Sequence, residues 1–350
     1  MADKAFRMTR AARMATGRRP VMLAIAGDSA AGKTTLTRGL VDALGRERCL
    51  SICVDDYHRY DRQERSVLPF TALHPHCNHL DIMEQHLQLL ATGQPILKPV
   101  YDHSTGLLAR PELVEPAEFV IVEGLLPLHS KLARACFDVT VYLDPPEEVR
   151  RNWKIARDTR QRSYAASQVH AELLRREPDS AAFIRPQRGH ADIVVSFAPI
   201  ADRDDPPGTP LSAELVLRPT IRHPDLTSAL DAPLLAPPVC FAGGRLASRP
   251  AHNREQVAVA EAVHCEQPAP GRAIRLKLGR DTDGRPVDTL HVHGYVPPEQ
   301  SRAAQRAIWA LLGERGDPPA VLGRVGHHGR SEPLAIAQLL LLYHLLDAAR

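Results

Sequence analysis

The chain has 350 residues, with 44 Lys and Arg against 41 Asp and Glu and a net charge of +3. A hydrophobic fraction of 44% and a charged fraction of 24% are ordinary for a globular protein, which excludes a disordered tail and a small disulfide-stapled scaffold. Aromatic residues make up 5%, and the charge is nearly balanced, so we expect no nucleic-acid partner.

The six cysteines include no Cys-x-x-Cys pair, which is typical of a reducing cytoplasm rather than of a disulfide framework. The longest apolar stretch, residues 334–346, is interrupted by Gln338 and His344 and is shorter than the roughly 20 residues needed to cross a bilayer. We therefore predict a cytoplasmic protein with no membrane partner. The basic residues 1–19 are interpreted as a flexible tail, with a transit peptide as the alternative.

In chain order, the first half alternates short apolar runs with amphipathic segments. Helices are predicted at residues 35–44, 82–91 and 147–162, where apolar residues recur at steps of three and four, and Asp81 is the candidate N-cap of the second helix. This alternation predicts an α/β fold with a mainly parallel sheet covered by helices on both faces. The predicted strands are residues 21–26, 50–54, 119–122, 139–143 and 193–197.

The second half is richer in proline, with 18 of the 30 prolines in residues 199–350. A charged run rich in Pro and Gly predicts a linker at 201–210, between a first domain at 20–200 and a smaller α+β region at 211–350. Residues 225–270 receive no assignment. The elements predicted in this region are strands at 213–217, 273–278 and 290–296, and helices near 299–312 and 334–346.

The segment Gly27-Asp-Ser-Ala-Ala-Gly-Lys-Thr34 satisfies the pattern G-x-x-x-x-G-K-[ST] of a phosphate-binding loop. It directly follows the apolar strand 21–26 and opens a helical pattern at Thr35, so backbone N–H groups can surround phosphate oxygens. Lys33 is expected to reach the β- and γ-phosphates, and the Thr34 hydroxyl to bind Mg²⁺. The sequence therefore predicts a protein that binds a nucleoside triphosphate, with ATP preferred because the guanine-reading motif of GTPases is absent.

Two acidic positions follow apolar strands. Glu123 ends the strand at 119–122, a position that suits the metal or its water shell beside a phosphate-binding loop. Asp55 and Asp56 follow the strand at 50–54, on the rim where an acceptor hydroxyl must lie. A carboxylate there can take the proton of a sugar hydroxyl as that oxygen attacks the γ-phosphate. A helix cap or loop acid is the structural alternative.

Basic residues crowd the segment 150–162. Arg150, Lys154 and Arg157 recur at steps of four and three, which places three cations on one helix face. This spacing favours a lid that offsets the charge of a triphosphate, with a solvated basic helix as the alternative.

These features resemble the phosphoribulokinase family, in its plant, cyanobacterial and archaeal branch. The resemblance covers about residues 21–197 and rests on seven blocks in family order, whereas residues after the predicted linker match only thinly. The blocks besides the phosphate-binding loop are Val54-Asp-Asp-Tyr-His-Arg-Tyr-Asp-Arg62, Thr71-Ala-Leu-His-Pro75, Lys98-Pro-Val-Tyr-Asp-His-Ser-Thr-Gly106, Val122-Glu-Gly-Leu-Leu-Pro127, Trp153-Lys-Ile-Ala-Arg-Asp158 and Arg185-Pro-Gln-Arg188.

The resemblance implies a P-loop kinase fold, ATP with Mg²⁺, and a homodimer in which the C-terminal region extends the sheet or pairs across the dimer. It implies that Asp55 is the base that abstracts a proton from O1 of ribulose 5-phosphate, with Asp56 as the fallback, and that Arg62 binds the phosphate already present on the sugar. The implied catalytic residues are Asp55, Lys33, Arg157 and Asp158. The implied substrate-binding residues are Asp56, His58, Arg62, Tyr101, His103, Lys154 and Arg162. The implied nucleotide-binding residues are Gly27, Asp28, Ser29, Ala30, Ala31, Gly32, Lys33, Thr34, Thr35 and Arg188, and the implied metal-binding residues are Thr34 and Glu123.

The sequence departs from the family pattern at positions near the implied site. Leu126 stands where the family usually has His, which removes a polar group near the sugar, and His74 and His76 stand where Asp and Arg are typical. Cys53 matches one cysteine of the plant-type regulatory disulfide, but Ala31 replaces the other, so thioredoxin control through that bond is predicted to be absent.

We expect ATP-dependent phosphorylation of ribulose 5-phosphate at O1. The departures keep open a kinase for another sugar phosphate or a nucleoside. A nucleotide-binding regulatory relative without turnover is the non-enzymatic alternative, which the intact Lys33, Thr34, Asp55 and Glu123 disfavour.

Overall fold

The computed structural model describes residues 18–161, 164–200, 209–227, 230, 273–314, 316–326 and 329–350. Its main sheet has eight strands. They are β1 (Val21–Gly27), β2 (Cys49–Cys53), β5 (Phe119–Gly124), β6 (Val139–Leu143), β7 (Ile193–Ala198), β8 (Ser212–Leu217), β9 (Ile274–Arg280) and β10 (Pro286–Val292). Two separate hairpins are formed by β3 (Ile96–Asp102) with β4 (Leu107–Val114) and by β11 (Arg324–Val325) with β12 (Gly329–Arg330).

The strand order of the main sheet is β2-β5-β1-β6-β7-β8-β10-β9. The first five strands in this order are parallel, and β8, β10 and β9 continue the sheet in antiparallel pairing. Every residue of β1 and β5 is buried, as expected for central strands covered on both faces. The predicted α/β fold with a mainly parallel sheet is confirmed.

The helices are α1 (Lys33–Leu44), α2 (Arg62–Ser66), α3 (Leu80–Ala91), α4 (Lys131–Arg134), α5 (Glu147–Gln161), α6 (Ala166–Asp179), α7 (Pro298–Ala310) and α8 (Glu332–Ala348). Side chains of β1 alternate between two cores. Leu23 and Ile25 pack with α1, α7 and α8 on one face, whereas Met22 packs with α3 on the other. The central strands are thus packed on both faces, which leaves the carboxyl ends of the parallel strands as one edge of the sheet. No helix in the described part of the chain is long and apolar enough to cross a membrane.

Several elements differ from the sequence predictions. The β3–β4 hairpin was not predicted, because β4 is mostly exposed and both strands contain proline, so neither shows a buried apolar run. Helix α6 was also missed. The N-cap of α3 is His79 rather than Asp81, which lies in the first turn. Strand β10 ends at Val292 instead of 296, because a turn at Gly294 brings that residue against the Pro210 carbonyl.

Some predictions fall outside the described residues. These are the tail up to residue 17, Arg162, the linker residues 201–208 and most of the unassigned stretch 225–270. The last two residues of the predicted tail are held in place: Arg18 donates to the Ala349 carbonyl at 2.9 Å, and Arg19 pairs with Asp138. The division into two domains and the dimer stay predictions.

Candidate active site

The phosphate-binding loop turns sharply between β1 and α1. Gly27 and Gly32 have φ angles of 149° and 99°, and a Cβ atom on Gly27 would lie 2.8 Å from the Leu143 carbonyl oxygen. Ala30 also has a positive φ, of 66°, a left-handed conformation that costs an L-residue about 1–2 kcal/mol. The loop leads into the first turn of α1, where Thr35 and Leu36 N–H groups bond to the Gly32 carbonyl. The backbone therefore has the form of an anion-binding helix N-terminus.

Lys33, Thr34 and Glu123 converge at the end of this loop. The Lys33 ammonium donates to the Gly27 and Asp28 carbonyls at 2.8 Å, and the Thr34 hydroxyl donates to Glu123 Oε2 at 3.3 Å. Burial lowers the pKa of Lys33, although Glu123 and Asp55 oppose this effect, and burial raises the pKa of Glu123 against the attraction of Lys33. A hydroxyl and a carboxylate this close form an all-oxygen donor pair, which fits Mg²⁺.

Asp55 and Asp56 lie in the 3-10 turn Val54–Tyr57, directly after β2, and their environments differ. Asp56 is held by the β3 strand: its two oxygens accept from Lys98 Nζ at 2.5 Å and from the Tyr101 N–H at 3.1 Å. Asp55 lies 3.8 Å from His103 Nε2 and within the electrostatic reach of Lys33. Burial alone would raise the pKa of Asp55, but the nearby His58, His103 and Lys33 outweigh it, so this pKa is below its ordinary value. Asp55 is therefore an ionised carboxylate at neutral pH.

The β3–β4 hairpin brings the predicted sugar-side residues next to these acids. His58 is buried, with Nδ1 2.7 Å from Asn78 Oδ1, and its ring packs edge-on against Tyr101 at 4.9 Å. Arg62 is exposed and donates to the His103 carbonyl at 2.6 Å, at the turn of the hairpin. The structure thus brings His58 and His103 near Asp55 and Tyr101 against Asp56, with Arg62 bound to the hairpin turn.

The cationic face of α5 lies against the phosphate-binding loop. Arg150 donates to the Ser29 carbonyl at 3.1 Å, and an Arg157 Nη2 atom lies 3.5 Å from the Ser29 hydroxyl. Lys154 is buried and donates to Asp158 at 2.8 Å. Burial is the main reason that the pKa of Lys154 falls to about 8. The predicted alternative of a solvated basic helix is wrong for this face.

Arg188 lies just before β7, and its side chain reaches Asp144, the residue that follows β6. Its guanidinium donates to Asp144 at 2.8 Å and to Asp281 at 3.0 Å, and Asp281 also accepts from Arg218 Nε at 2.7 Å. Because Asp281 lies in the β9–β10 turn, the C-terminal region helps to fix the position of Arg188.

The departures from the family pattern occupy different environments. Leu126 is fully buried in the core that contains α3. Its side chain packs in this core, whereas the sequence predicts a position near the sugar. His74 stacks on Phe70 with ring centres 5.0 Å apart and meets Phe183 edge-on at 4.6 Å. His76 is exposed beside it.

Sequence reasoning missed three cations of the site. Lys98 donates to Asp56, and Arg65 donates to the Tyr101 hydroxyl at 2.6 Å. Arg176 lines a pocket with Ser29 and Lys154. Lys98 was part of a quoted block, and so could have been found there. Arg65 and Arg176 lie on helices α2 and α6, and no motif marked either residue.

A phosphate-binding loop at the carboxyl edge of a parallel sheet, with a carboxylate beside its threonine, defines the P-loop class of nucleotide-binding proteins. Residues 22–203 match the model of the "Phosphoribulokinase / Uridine kinase family". The chain belongs to this family, which confirms the resemblance drawn from the sequence.

Three relatives illustrate the likeness. A phosphoribulokinase of Synechocystis sp. is 43% identical over 198 residues, which are 57% of this chain and 60% of that protein. A chloroplastic phosphoribulokinase of Spinacia oleracea is 35% identical over 53% of this chain and 51% of its own length. A uridine kinase of Oceanobacillus iheyensis is 31% identical over 51% of this chain and 88% of its own length. The chain thus spans about half to three fifths of the phosphoribulokinases that it matches.

Proposed function

We propose that this protein transfers the γ-phosphate of ATP to O1 of ribulose 5-phosphate, with Asp55 as the general base and Mg²⁺ as the cofactor. The observation that carries this proposal is the difference between the two adjacent acids. Both oxygens of Asp56 are engaged by the β3 strand, whereas Asp55 faces Lys33 and the hairpin turn that carries His103. Only Asp55 retains a carboxylate available to an acceptor hydroxyl.

In this mechanism Asp55 accepts the proton of the O1 hydroxyl while that oxygen attacks the γ-phosphorus in line. The bond between the γ-phosphorus and the β–γ bridging oxygen breaks, and ADP leaves with the electron pair. A positioned base of this kind typically contributes 10²–10⁴-fold to the rate. Lys33 and the N–H groups of the phosphate-binding loop orient the triphosphate.

Thr34 and Glu123 would hold Mg²⁺, because their oxygens lie 3.3 Å apart at the loop. When bound, the ion neutralises charge on the β- and γ-phosphates. The α5 residues Arg150, Lys154 and Arg157 supply further positive charge and cover the loop, which excludes water from the reaction. These contacts support the lid rather than a surface helix.

Phosphorylation of a nucleoside is the second candidate, favoured by the uridine kinase relative that aligns over 88% of its length. Arg62 distinguishes the two acceptors. Its guanidinium is exposed at the hairpin turn and can pair with a phosphate that only a sugar phosphate carries. Loss of such a charged hydrogen bond should weaken acceptor binding by about 1.5–3 kcal/mol.

The test is steady-state ADP release from Mg-ATP with ribulose 5-phosphate, ribose 5-phosphate, xylulose 5-phosphate and uridine, each with wild-type protein and with Arg62→Ala. We expect the highest kcat/KM with ribulose 5-phosphate and an acceptor KM at least about tenfold higher in Arg62→Ala. A higher kcat/KM with uridine, together with an acceptor KM unchanged by Arg62→Ala, would favour the nucleoside kinase.

A further inference from the structure

Cys53 has no role in the proposed phosphoryl transfer, yet its thiol lies beside two other metal-binding groups. Cys53 ends β2 and Asp55 follows in the next turn, while His103 reaches the same place from the β3–β4 hairpin. The Cys53 sulfur, an Asp55 oxygen and a His103 nitrogen all lie within 4.8 Å of one another. In the described part of the chain, no other three His, Cys, Asp or Glu side chains converge in this way.

We propose that Cys53, Asp55 and His103 form a binding site for a zinc-like divalent cation, and that an ion bound there blocks phosphoryl transfer. The binding does not depend on the proposed function. The blocking effect does, because it rests on Asp55 being the base.

The geometry suits a tetrahedral ion after a small closure. With ligand bonds of about 2.0–2.3 Å, the ligand atoms of a tetrahedral zinc ion lie roughly 3.3–3.8 Å apart. Asp55 Oδ2 and His103 Nε2 are already 3.8 Å apart. The His103 side chain is 47% exposed on the hairpin turn, so its ring can rotate toward the other two ligands. Three protein ligands leave the fourth position to water.

The ligand chemistry separates this site from the magnesium site. Thiolate and imidazole favour zinc, copper and similar borderline or soft cations, whereas Mg²⁺ prefers oxygen ligands such as Thr34 and Glu123. Binding replaces the S–H bond of Cys53 with a metal–sulfur bond, and the proton is released to the buffer. The bound ion occupies the Asp55 carboxylate, which can then no longer accept a proton from an acceptor.

The experiment measures binding without turnover. The full chain is titrated with Co²⁺ in excess Mg²⁺ to detect the near-ultraviolet absorption of a cobalt–thiolate bond, and Zn²⁺ affinity is measured by competition with a chromophoric chelator. The variants are Cys53→Ser and His103→Gln. The matched control is Cys49→Ser, at the opposite end of the same strand and outside the cluster.

We expect a cobalt–thiolate band in the wild-type protein and in Cys49→Ser, and none in Cys53→Ser. Zn²⁺ affinity should fall at least about tenfold in both Cys53→Ser and His103→Gln, since even outer-shell partners of a metal usually contribute 10–100-fold. If Cys53→Ser does not fold, His103→Gln on the exposed turn decides the point. A missing band in the wild-type protein, or an unchanged Zn²⁺ affinity in the folded variants, overturns the site.

Turnover is measured separately. Zn²⁺ should inhibit ADP release from Mg-ATP and the acceptor with the same concentration dependence as its binding, and Cys53→Ser should lose this inhibition. Zinc that binds at the site without slowing turnover overturns the blocking effect. A wild-type protein without turnover on any acceptor contradicts the proposed function while the binding result stands.

Discussion

The side-chain amide of Gln338 donates to the main-chain carbonyl of Thr35 at 3.2 Å and to that of Leu36 at 3.3 Å. Gln338 lies in α8, and the two carbonyls belong to the first turn of α1, directly after the phosphate-binding loop. Its Oε1 atom accepts from the Gly323 N–H at 2.7 Å. Gln338, one of the two polar residues that interrupt the apolar stretch 334–346, thus joins the C-terminal helix α8 to α1 through two hydrogen bonds.

Replacing Gln338 by Leu should destabilise the protein. The substitution keeps a similar volume but leaves the buried Gly323 N–H without a partner, which costs about 1–3 kcal/mol. Urea unfolding measures the loss. Gln88→Leu, the same change on the exposed face of α3, should shift the free energy of unfolding by no more than about 0.5 kcal/mol. Equal stability of the two variants would mean that the Gln338 contacts are not formed.

Lys154 should make turnover sensitive to alkaline pH. Burial, and then the charge of Arg176, lower the pKa of Lys154 to about 8, although the hydrogen bond to Asp158 acts in the opposite direction. A neutral amine no longer attracts phosphate, so kcat/KM should fall above about pH 8. In Lys154→Arg this fall should move beyond the measured range, because Arg stays charged. If kcat/KM falls at the same pH in Lys154→Arg, the titrating group is not Lys154. Lys131→Arg, which replaces an exposed lysine, is the control and should leave the pH profile unchanged.

The same group should affect stability. The folded protein releases the Lys154 proton near pH 8, whereas the unfolded chain holds its proton to about 10.5. Between these values the unfolded state binds more protons, so the contribution of Lys154 to the free energy of unfolding rises with pH. Buried thiols with raised pKa values, such as Cys49, act in the opposite direction in both proteins. Urea unfolding at pH 8 and at pH 10 should therefore show a change in the free energy of unfolding that is more positive in the wild-type protein than in Lys154→Met, and an equal change in both would contradict the lowered pKa of Lys154.

Ala30→Gly should stabilise the protein. Ala30 has a φ of 66°, and glycine removes a left-handed penalty of about 1–2 kcal/mol while it costs about 0.5–1 kcal/mol in backbone entropy. The expected gain is below about 1.5 kcal/mol, measured by thermal unfolding. Ala31→Gly is the matched control. Ala31 has a negative φ and is buried, so its replacement should lower stability. A loss of stability in Ala30→Gly would contradict the loop conformation.

The sequence was most informative where function and fold coincide. The apolar strands, the phosphate-binding loop and the acids after β2 are local features, and each was identified within a few residues of its observed place. The β3–β4 hairpin was not predicted, because β4 is largely exposed. The contacts of Lys98 with Asp56 and of His103 with Asp55 depend on this hairpin and were therefore not predicted either.

The type of a residue alone also did not show whether its side chain packs in the core or faces the candidate site. The sequence predicts that Leu126 changes the sugar site, yet its side chain is buried in the core, in the turn that follows β5. Asp55 and Asp56 are adjacent and chemically identical. Only the tertiary contacts of Asp56 with the β3 strand distinguish them.

The most direct test compares Asp55→Asn with Asp56→Asn under single-turnover conditions with Mg-ATP and ribulose 5-phosphate. We predict that Asp55→Asn slows phosphoryl transfer by at least about 100-fold with ATP affinity retained, because the base is lost. Asp56→Asn should slow the transfer less and act mainly through weaker acceptor binding and lower stability, because it loosens the hairpin contacts of Lys98 and Tyr101. A larger loss of transfer rate in Asp56→Asn, or a rate within tenfold of wild type in Asp55→Asn, would contradict the assignment of the base.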